Sequence, residues 1–357
     1  MSDSFRKGRG AQKRLHNPFR QQEVIPDADH LTDQEEAESV LFPKPETRVL
    51  EVTAASIVNR VESPDVPMGW SLNPYQGCEH GCVYCYARNS HTYWDGGAGI
   101  EFETRIQVKV NAVELLRRFF LKSGWAGDPI VMAGNTDIYQ PVERKRELTR
   151  RLLSTFLEFR HPVGLITKNS LIDRDTDLLS DLARDQLVHV NLSLTTLDES
   201  VKRKLEPRTS SAASVLKTIR RLTDAGIPVN VLMAPIIPGL TDHEILRVFE
   251  AASDAGALSA GGLVVRLNGQ VGDLMTDWIG KAFPHQAEKV LNRIKSLHGG
   301  QLNDSRFGRR MTGEGPWAAT IRSQVHLARE RFFSDRQMPE FNRSLFAETR
   351  PGQMDLF

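Results

Sequence analysis

Between residues 129 and 267 short apolar runs alternate with amphipathic stretches, and this alternation restricts the fold of the 357-residue chain more tightly than anything else in it. Pro129-Ile130-Val131-Met132-Ala133-Gly134, Val163 to Lys168, Val188 to Leu194, Val229 to Ala234 and Gly262 to Leu267 are short and nearly continuously apolar. That is the pattern of strands covered on both faces, as in a parallel sheet. Apolar residues recur at helical spacing in Val110 to Leu121, Leu148 to Phe159, Asp177 to Arg184 and Ser214 to Ala225. Thr241-Asp242-His243-Glu244 has the spacing of a capping box opening a helix towards Asp254. With one more strand just ahead of residue 78, the chain offers about six β/α units, predicting a parallel sheet with helices outside, as an open sheet or a partial barrel.

All three cysteines fall in one loop ahead of this series, Asn73-Pro74-Tyr75-Gln76-Gly77-Cys78-Glu79-His80-Gly81-Cys82-Val83-Tyr84-Cys85-Tyr86-Ala87-Arg88. Their C-x3-C-x2-C spacing lets the thiolates wrap one metal centre, and Gly77 and Gly81 let the loop fold back on itself. Three thiolates are one short of a closed structural zinc site and leave a coordination position free for a cofactor or substrate. His80 as the fourth zinc ligand is cramped, one residue before Cys82 and two after Cys78. Thiolates also hold iron–sulfur clusters, and three of them leave one iron without a protein ligand. An odd cysteine count confined to one loop argues against a disulfide framework and for a reducing cytoplasm.

The flanks read differently. Residues 1–45 pair a basic start (Arg6, Lys7, Arg9, Lys13, Arg14, Arg20) with an acidic run from Asp27 to Glu38 and few large apolar residues, predicting a flexible N-terminal arm. Residues 46–275 form the β/α core. Residues 276–340 read as a C-terminal helical extension, with helical patterns at Gln286 to Leu297 and Ala318 to Phe333 around the loop Ser305-Arg306-Phe307-Gly308-Arg309-Arg310. Residues 341–357 read as a flexible tail. No apolar run approaches the ~20 residues that span a bilayer, and no apolar segment follows the basic start, so neither a membrane span nor a secretion signal is expected. A net charge of +1 confines any nucleic-acid contact to local patches such as Arg306, Arg309, Arg310, Arg322, Arg329 and Arg331.

The cysteine loop, with an aromatic residue just before its third cysteine and a β/α series behind it, resembles the radical S-adenosylmethionine (SAM) superfamily over roughly residues 60 to 270. The resemblance implies a partial TIM barrel, (β/α)6. It implies a [4Fe–4S] cluster on Cys78, Cys82 and Cys85, with SAM chelating the open iron, reductive cleavage of SAM to a 5′-deoxyadenosyl radical, and an external reductant such as flavodoxin or ferredoxin. It places Tyr84 against the adenine and Gly134, Asn135, Thr136 and Asp137 at the SAM amino group. Lys168 and Ser193 would meet the methionyl carboxylate, Ala234 would lie on the strand that supports the adenine, and Arg208 is a weaker carboxylate or substrate contact.

Asn-Pro-Tyr-x-Gly-Cys-x-His-x-Cys-x-Tyr-Cys-Tyr-Ala together with Asn135-Thr136-Asp137-x-Tyr139-Gln140-Pro141-x-Glu143 is similar to the branch of spore photoproduct lyase, a DNA-repair enzyme. DNA or another nucleic acid is therefore the leading substrate expectation. That lyase returns hydrogen to its product from a further cysteine, and this chain has none left over, so the donor expectation passes to Tyr75, Tyr86, Tyr93 and Tyr139. Gln353-Met354-Asp355-Leu356-Phe357 resembles the peptide by which bacterial repair proteins dock on the DNA sliding clamp, with Leu356 and Phe357 as apolar anchors. Two other readings remain open: a non-catalytic, clamp-associated DNA-binding iron–sulfur protein, and radical chemistry on a small molecule or peptide.

Overall fold

Six of the apolar runs lie side by side in the computed structural model, which describes residues 5–13, 15–19, 46–94 and 96–348. Its strands are β1 (Arg48–Val52), β2 (Val58–Arg60), β3 (Trp70–Leu72), β4 (Tyr75–Gln76), β5 (Arg105–Lys109), β6 (Ile130–Met132), β7 (Val163–Thr167), β8 (Val188–Ser193), β9 (Val229–Ile236) and β10 (Ser259–Val264). One sheet is seven-stranded in the order β10-β9-β8-β7-β6-β3-β2. Every neighbouring pair from β3 to β10 is parallel, and β2 closes the edge antiparallel to β3. Helices Ala112–Phe120, Leu148–Glu158, Thr176–Arg184, Ala212–Asp224 and Ile245–Asp254 carry the chain from strand to strand. This is the mixed α/β arrangement of a partial (β/α)6 barrel, followed by a helical extension.

Two apolar cores hold it. The larger lies between the sheet and its helices, where Ile130, Leu165, Val190 and Val231 from the strands meet Phe120, Leu152, Ile219 and Phe249 from the helices. Transfer of such side chains out of water is the main favourable term in folding. The smaller joins the extension to the cysteine loop: Cys82, Val83 and Tyr84 pack with Trp278 on helix Val271–Ala282 and with Val290 and Ile294 on helix Ala287–Leu297. The loop is thus part of a core and has the rigidity of one.

β1 pairs with β5 in a separate three-stranded sheet with β4, outside the main sheet. Two expectations read differently in three dimensions. The capping box at Thr241 does not form. The Thr241 hydroxyl instead accepts from Ile237 N at 2.9 Å, and the Glu244 carboxylate is drawn to the Thr196 hydroxyl and Leu197 N. Within the stretch expected as an arm, Arg9, Gly10, Ala11 and Gln12 are buried, and the Gly10 and Ala11 amides donate to the Glu103 carboxylate at 3.2 and 2.7 Å. Most of that stretch, and the tail peptide Gln353 to Phe357, lie outside the described residues. Among the described residues no helix is long and apolar enough to cross a membrane.

Trp278 is fully buried at the centre of the smaller core, with its indole N–H donating to Lys204 O at 3.1 Å. Trp278→Ala should therefore cost about 3–5 kcal/mol of stability, read as a fall in the urea midpoint; a change below about 1 kcal/mol would contradict this packing.

Candidate active site

Because β3 and β6 to β10 run parallel, their C-terminal ends share one edge, and the chain emerges from each of them into that mouth. Sites of such folds form there. The cysteine loop leaves β4 and crosses the mouth. Its Val83 amide donates to Leu205 O at 3.2 Å, and the Asn89 side chain bridges Asn268 O and Gln270 N. The loop therefore links the side of the barrel at β3 with the side at β10.

Its shape is set by a buried ion pair. Arg88 is fully buried. Its Nε donates to Cys82 O, its Nη1 to Ala98 O and Gly99 O, and its Nη2 to Gly81 O and, at 2.5 Å, to Glu103. The guanidinium thus ties the carbonyls of Gly81 and Cys82, at the second cysteine, to the helix Ile100–Thr104. Gly81 sits at φ +68, and a Cβ there would lie 2.8 Å from the Glu103 carboxylate, so glycine is required for both conformation and space. Across the first cysteine, Gln140 clamps Glu79 N and Gly77 O, while Cys78 N donates to Phe102 O.

Cys78 and Cys82 are buried and Cys85 is half-buried, all as free thiols. Burial pushes all three thiols above their ordinary range. Opposing that, the Asp137 amide hydrogen-bonds to Cys78, and the Ala87 and Arg88 amides hydrogen-bond to Cys85. The cations of Arg88 and Lys168 act on Cys85 in the same direction. These surroundings favour a thiolate, but desolvation wins unless a positively charged centre joins the sulfurs. The donor set therefore fits an iron–sulfur cluster, whose potential is tuned by hydrogen bonds to sulfur. His80 is committed elsewhere: Nδ1 is 3.2 Å from the Asp137 carboxylate and Nε2 is 3.1 Å from Asn169 Nδ2. Among the described residues no group of three or more His, Cys, Asp or Glu is gathered to hold a single metal ion.

Beside the cysteines lies a buried polar hub that the sequence did not reveal. The Glu206 carboxylate accepts from the Tyr84 hydroxyl, from Thr195 Oγ1 at 2.6 Å and from Lys202 Nζ at 2.7 Å, and Lys168 Nζ is 3.2 Å away. Burial alone would raise its pKa, but Lys168 and Lys202 outweigh burial and hold it below the carboxylate range. Lys168, just past β7, also reaches Thr195 Oγ1 and Ala234 O, at 3.4 and 3.3 Å, and its ammonium lies 5.7 Å from the centre of the Tyr84 ring. Tyr84, Lys168 and Ala234 are thereby brought together, with Ser193 buried at the end of β8.

The second-strand turn is held just as firmly. Ala133 (φ 124) and Gly134 (φ 108) are both in the positive region, which for alanine is strained and met mainly where function needs it. Asn73 Oδ1 accepts from Asn135 N and Thr136 N, and Asn135 Oδ1 accepts from Ser90. The Asp137 carboxylate faces inward, accepting from Thr167 Oγ1 at 2.7 Å and Lys168 N at 2.8 Å; although burial opposes it, His80 and these donors keep its pKa low. Arg208 braces the loop through Glu79 at 3.4 Å.

The tyrosines separate. Tyr75 and Tyr139 are fully buried, their hydroxyls donating to Glu143 and Asp175. Tyr93 is 74% exposed and stacks on Phe19. Tyr86 is half-exposed at the mouth, its hydroxyl donating to Gly134 O. The loop 304–313 also reaches the mouth, where Val264 N donates to Met311 O. Its Arg306 and Arg309 pair with Asp304, and Arg310 pairs with Asp65.

A family model described as "Radical SAM superfamily" matches residues 72–252. An uncharacterised protein of Mycobacterium tuberculosis is 29% identical over 251 residues, covering 70% of this chain and 73% of that protein. A radical SAM Nalpha-GlyT isomerase of Pseudomonas phage M6 is 28% identical over 185 residues, 51% of this chain and 36% of that protein. Among solved structures, spore photoproduct lyase complexed with dinucleoside spore photoproduct aligns with a TM-score of 0.58 at 17% identity, over 80% of this chain and 79% of that one.

His91, at the end of the short helix after the cysteines, is fully buried with neither ring nitrogen hydrogen-bonded among the described residues. Burial, helped by Arg105 and Arg88, depresses its pKa to about 4. Between its unfolded value near 6.5 and 4, the unfolded chain binds a proton that the native ring refuses. Stability should thus decline as pH falls through this window, by up to about 3 kcal/mol. His91→Gln should flatten the decline in a pH series of denaturant midpoints, whereas an unchanged slope would refute the assignment.

Proposed function

We infer, for a chain that belongs to the radical SAM superfamily, that Cys78, Cys82 and Cys85 hold a [4Fe–4S] cluster at the barrel mouth and that SAM binds over the strand ends beside them. The observation that carries this is the donor set: three buried or half-buried thiols on one loop, raised by burial and offered N–H donors and cations, with no fourth cysteine in the sequence. Members of the family use a [4Fe–4S] cluster and SAM and need an external reductant, here expected to be a flavodoxin or ferredoxin of the cytoplasm. When bound, the cluster and SAM supply one-electron cleavage of the sulfonium, giving a radical that abstracts hydrogen from substrate.

The remaining residues would bind and orient. The Gly134-Asn135-Thr136 turn, pinned by Asn73, would offer backbone groups to the SAM amino group. Lys168 and Ser193 would meet the carboxylate, with Glu206 fixing the ammonium of Lys168 by charge. Tyr84 would present its face to the adenine, its hydroxyl anchored on Glu206, and Ala234 would support the base from β9. Asp137 and Arg208 would act through the loop, since their side chains hold His80, Thr167 and Glu79. With no further cysteine to return hydrogen, Tyr86 is the favoured donor, being the tyrosine exposed beside the Gly134 turn.

The substrate reading is a nucleic acid. It is supported by the dinucleoside spore photoproduct with which the similar lyase is complexed and by the exposed aromatic residues Tyr86 and Phe307 of this chain. Docking on a sliding clamp through residues 353–357 remains a proposal from the sequence.

Anaerobically reconstituted protein should be brown with about four irons per chain, and with SAM and dithionite should release 5′-deoxyadenosine, more of it when an oligonucleotide substrate is present. Cys85→Ala should lose iron and abolish the release. A colourless protein with stoichiometric zinc would overturn the reading. An iron–sulfur protein that binds DNA and never cleaves SAM would favour the non-catalytic alternative. In a second test, Tyr86→Phe should leave 5′-deoxyadenosine release in place while stopping product formation; product formed at the wild-type rate would exclude Tyr86 as donor.

A further inference from the structure

Arg266 stands two residues beyond the end of β10, half-buried at the mouth. Among the described residues no hydrogen bond or ion pair engages its guanidinium; only longer-range charges act on it. Of these, Arg310 repels it, while Asp65 favours its charge. Asp65 is already engaged, accepting from Gly308 N at 2.7 Å and paired with Arg310. A partly desolvated guanidinium without a partner is unfavourable unless an anion arrives from outside. Its flat fork matches the oxygens of phosphate or carboxylate.

The surroundings select between these anions. The Asn89 side chain joins Asn268 O and Gln270 N at 2.8 and 3.1 Å, which holds the end of the cysteine loop that carries Tyr86 beside the segment that carries Arg266, and the Tyr86 side chain is 51% exposed. Val264 N donates to Met311 O at 3.2 Å, which seats the loop of Arg310 beside the end of β10; Arg310 stacks on Phe307 with 4.4 Å between guanidinium and ring centre, and Phe307 is 56% exposed. An unpaired cation near two exposed aromatic rings is the composition of a single-strand nucleic-acid platform, where phosphate meets arginine and bases stack on rings. A peptide carboxylate would use the cation but leave both rings in water.

We propose that Arg266 receives a backbone phosphate of a single-stranded or extruded nucleotide substrate, with Tyr86 and Phe307 as stacking surfaces for the neighbouring bases. The proposal rests on the radical SAM reading for where the reacting nucleotide must lie, but the binding it describes can be measured without turnover.

The test is fluorescence anisotropy on anaerobically reconstituted full-length protein. The probes are a labelled single-stranded DNA 15-mer, the same sequence as RNA, and an acidic peptide of equal charge. Iron content and thermal midpoint report folding. Arg266→Ala should weaken oligonucleotide binding about tenfold and lower the slope of log K against log salt by about 0.7, the release expected from one phosphate contact on a single strand. Arg266→Lys should restore the salt slope but only part of the affinity. Phe307→Ala, on an exposed loop, should weaken binding with the salt slope unchanged. Equal affinity and slope in wild type and Arg266→Ala, or wild-type binding of the peptide and of neither oligonucleotide, would overturn the proposal. Preference between DNA and RNA identifies the strand, and either supports it. SAM cleavage by the wild type is scored separately. Cleavage without oligonucleotide binding sinks this inference alone, and binding without cleavage sinks the radical reading alone.

Discussion

The ion pair of Arg88 and Glu103 is the contact on which the site depends. Both side chains are fully out of water, and such a pair is favourable only when the remaining hydrogen-bonding capacity of each partner is met. Here it is met on both sides. Arg88 donates to the carbonyls of Gly81, Cys82, Ala98 and Gly99, and Glu103 accepts the amides of Gly10 and Ala11 as well as Arg88. Removing either partner would strand a buried charge, and such a change destabilises by about 3–5 kcal/mol. It would also release carbonyls that now hold the cysteine loop closed. The pair therefore acts less as a source of stability than as a jig that fixes where the sulfurs stand.

A second buried charge serves the neighbouring side of the mouth in the same manner. Glu206 is surrounded by Lys168, Lys202, Thr195 and Tyr84, and those donors keep it ionised despite burial. One carboxylate thereby fixes the ammonium of Lys168 and the ring of Tyr84, two groups from different strands and loops. The two hubs meet through the cysteine loop itself, since Cys82 to Tyr84 belongs to the core that also contains Leu205. A constellation braced in this way keeps its polar groups in place.

How much of this was legible in the sequence follows from the range of each interaction. The strands were readable because burial on both faces leaves a local imprint, a short apolar run, and β6 to β9 fall largely inside those runs. The cysteines were readable because a chelating loop is local too. Arg88, Glu103, Glu206 and Thr195 leave no such local imprint, because their partners are distant in sequence: Arg88 and Glu103 are 15 residues apart, Tyr84 and Glu206 are 122 apart. The scarcity of large apolar side chains in residues 1–45 predicts an arm throughout, residues 5–13 included. They are anchored instead by backbone amides on one carboxylate, an interaction to which composition is blind. The Thr241 capping box failed for a related reason, since other partners took both of its side chains.

The distribution of charge at the mouth then bears on function in a way that the net charge does not. At +1 the whole molecule exerts little field on a polyanion. Within the mouth, however, the cations fall into two kinds. Arg88, Lys168, Lys202 and Arg310 are each matched by a carboxylate, Glu103, Glu206 or Asp65. Their charge is used to hold the protein's own parts in place. Arg266 is the cation of this group without such a match among the described residues, and it stands just past β10, the edge strand of the main sheet, on the segment that the Asn89–Asn268 hydrogen bond holds beside the cysteine loop. A site that neutralises its structural cations internally and leaves one guanidinium open is selective for a ligand that brings a single localised anion to one position, because binding anywhere else among these groups would have to displace a buried carboxylate.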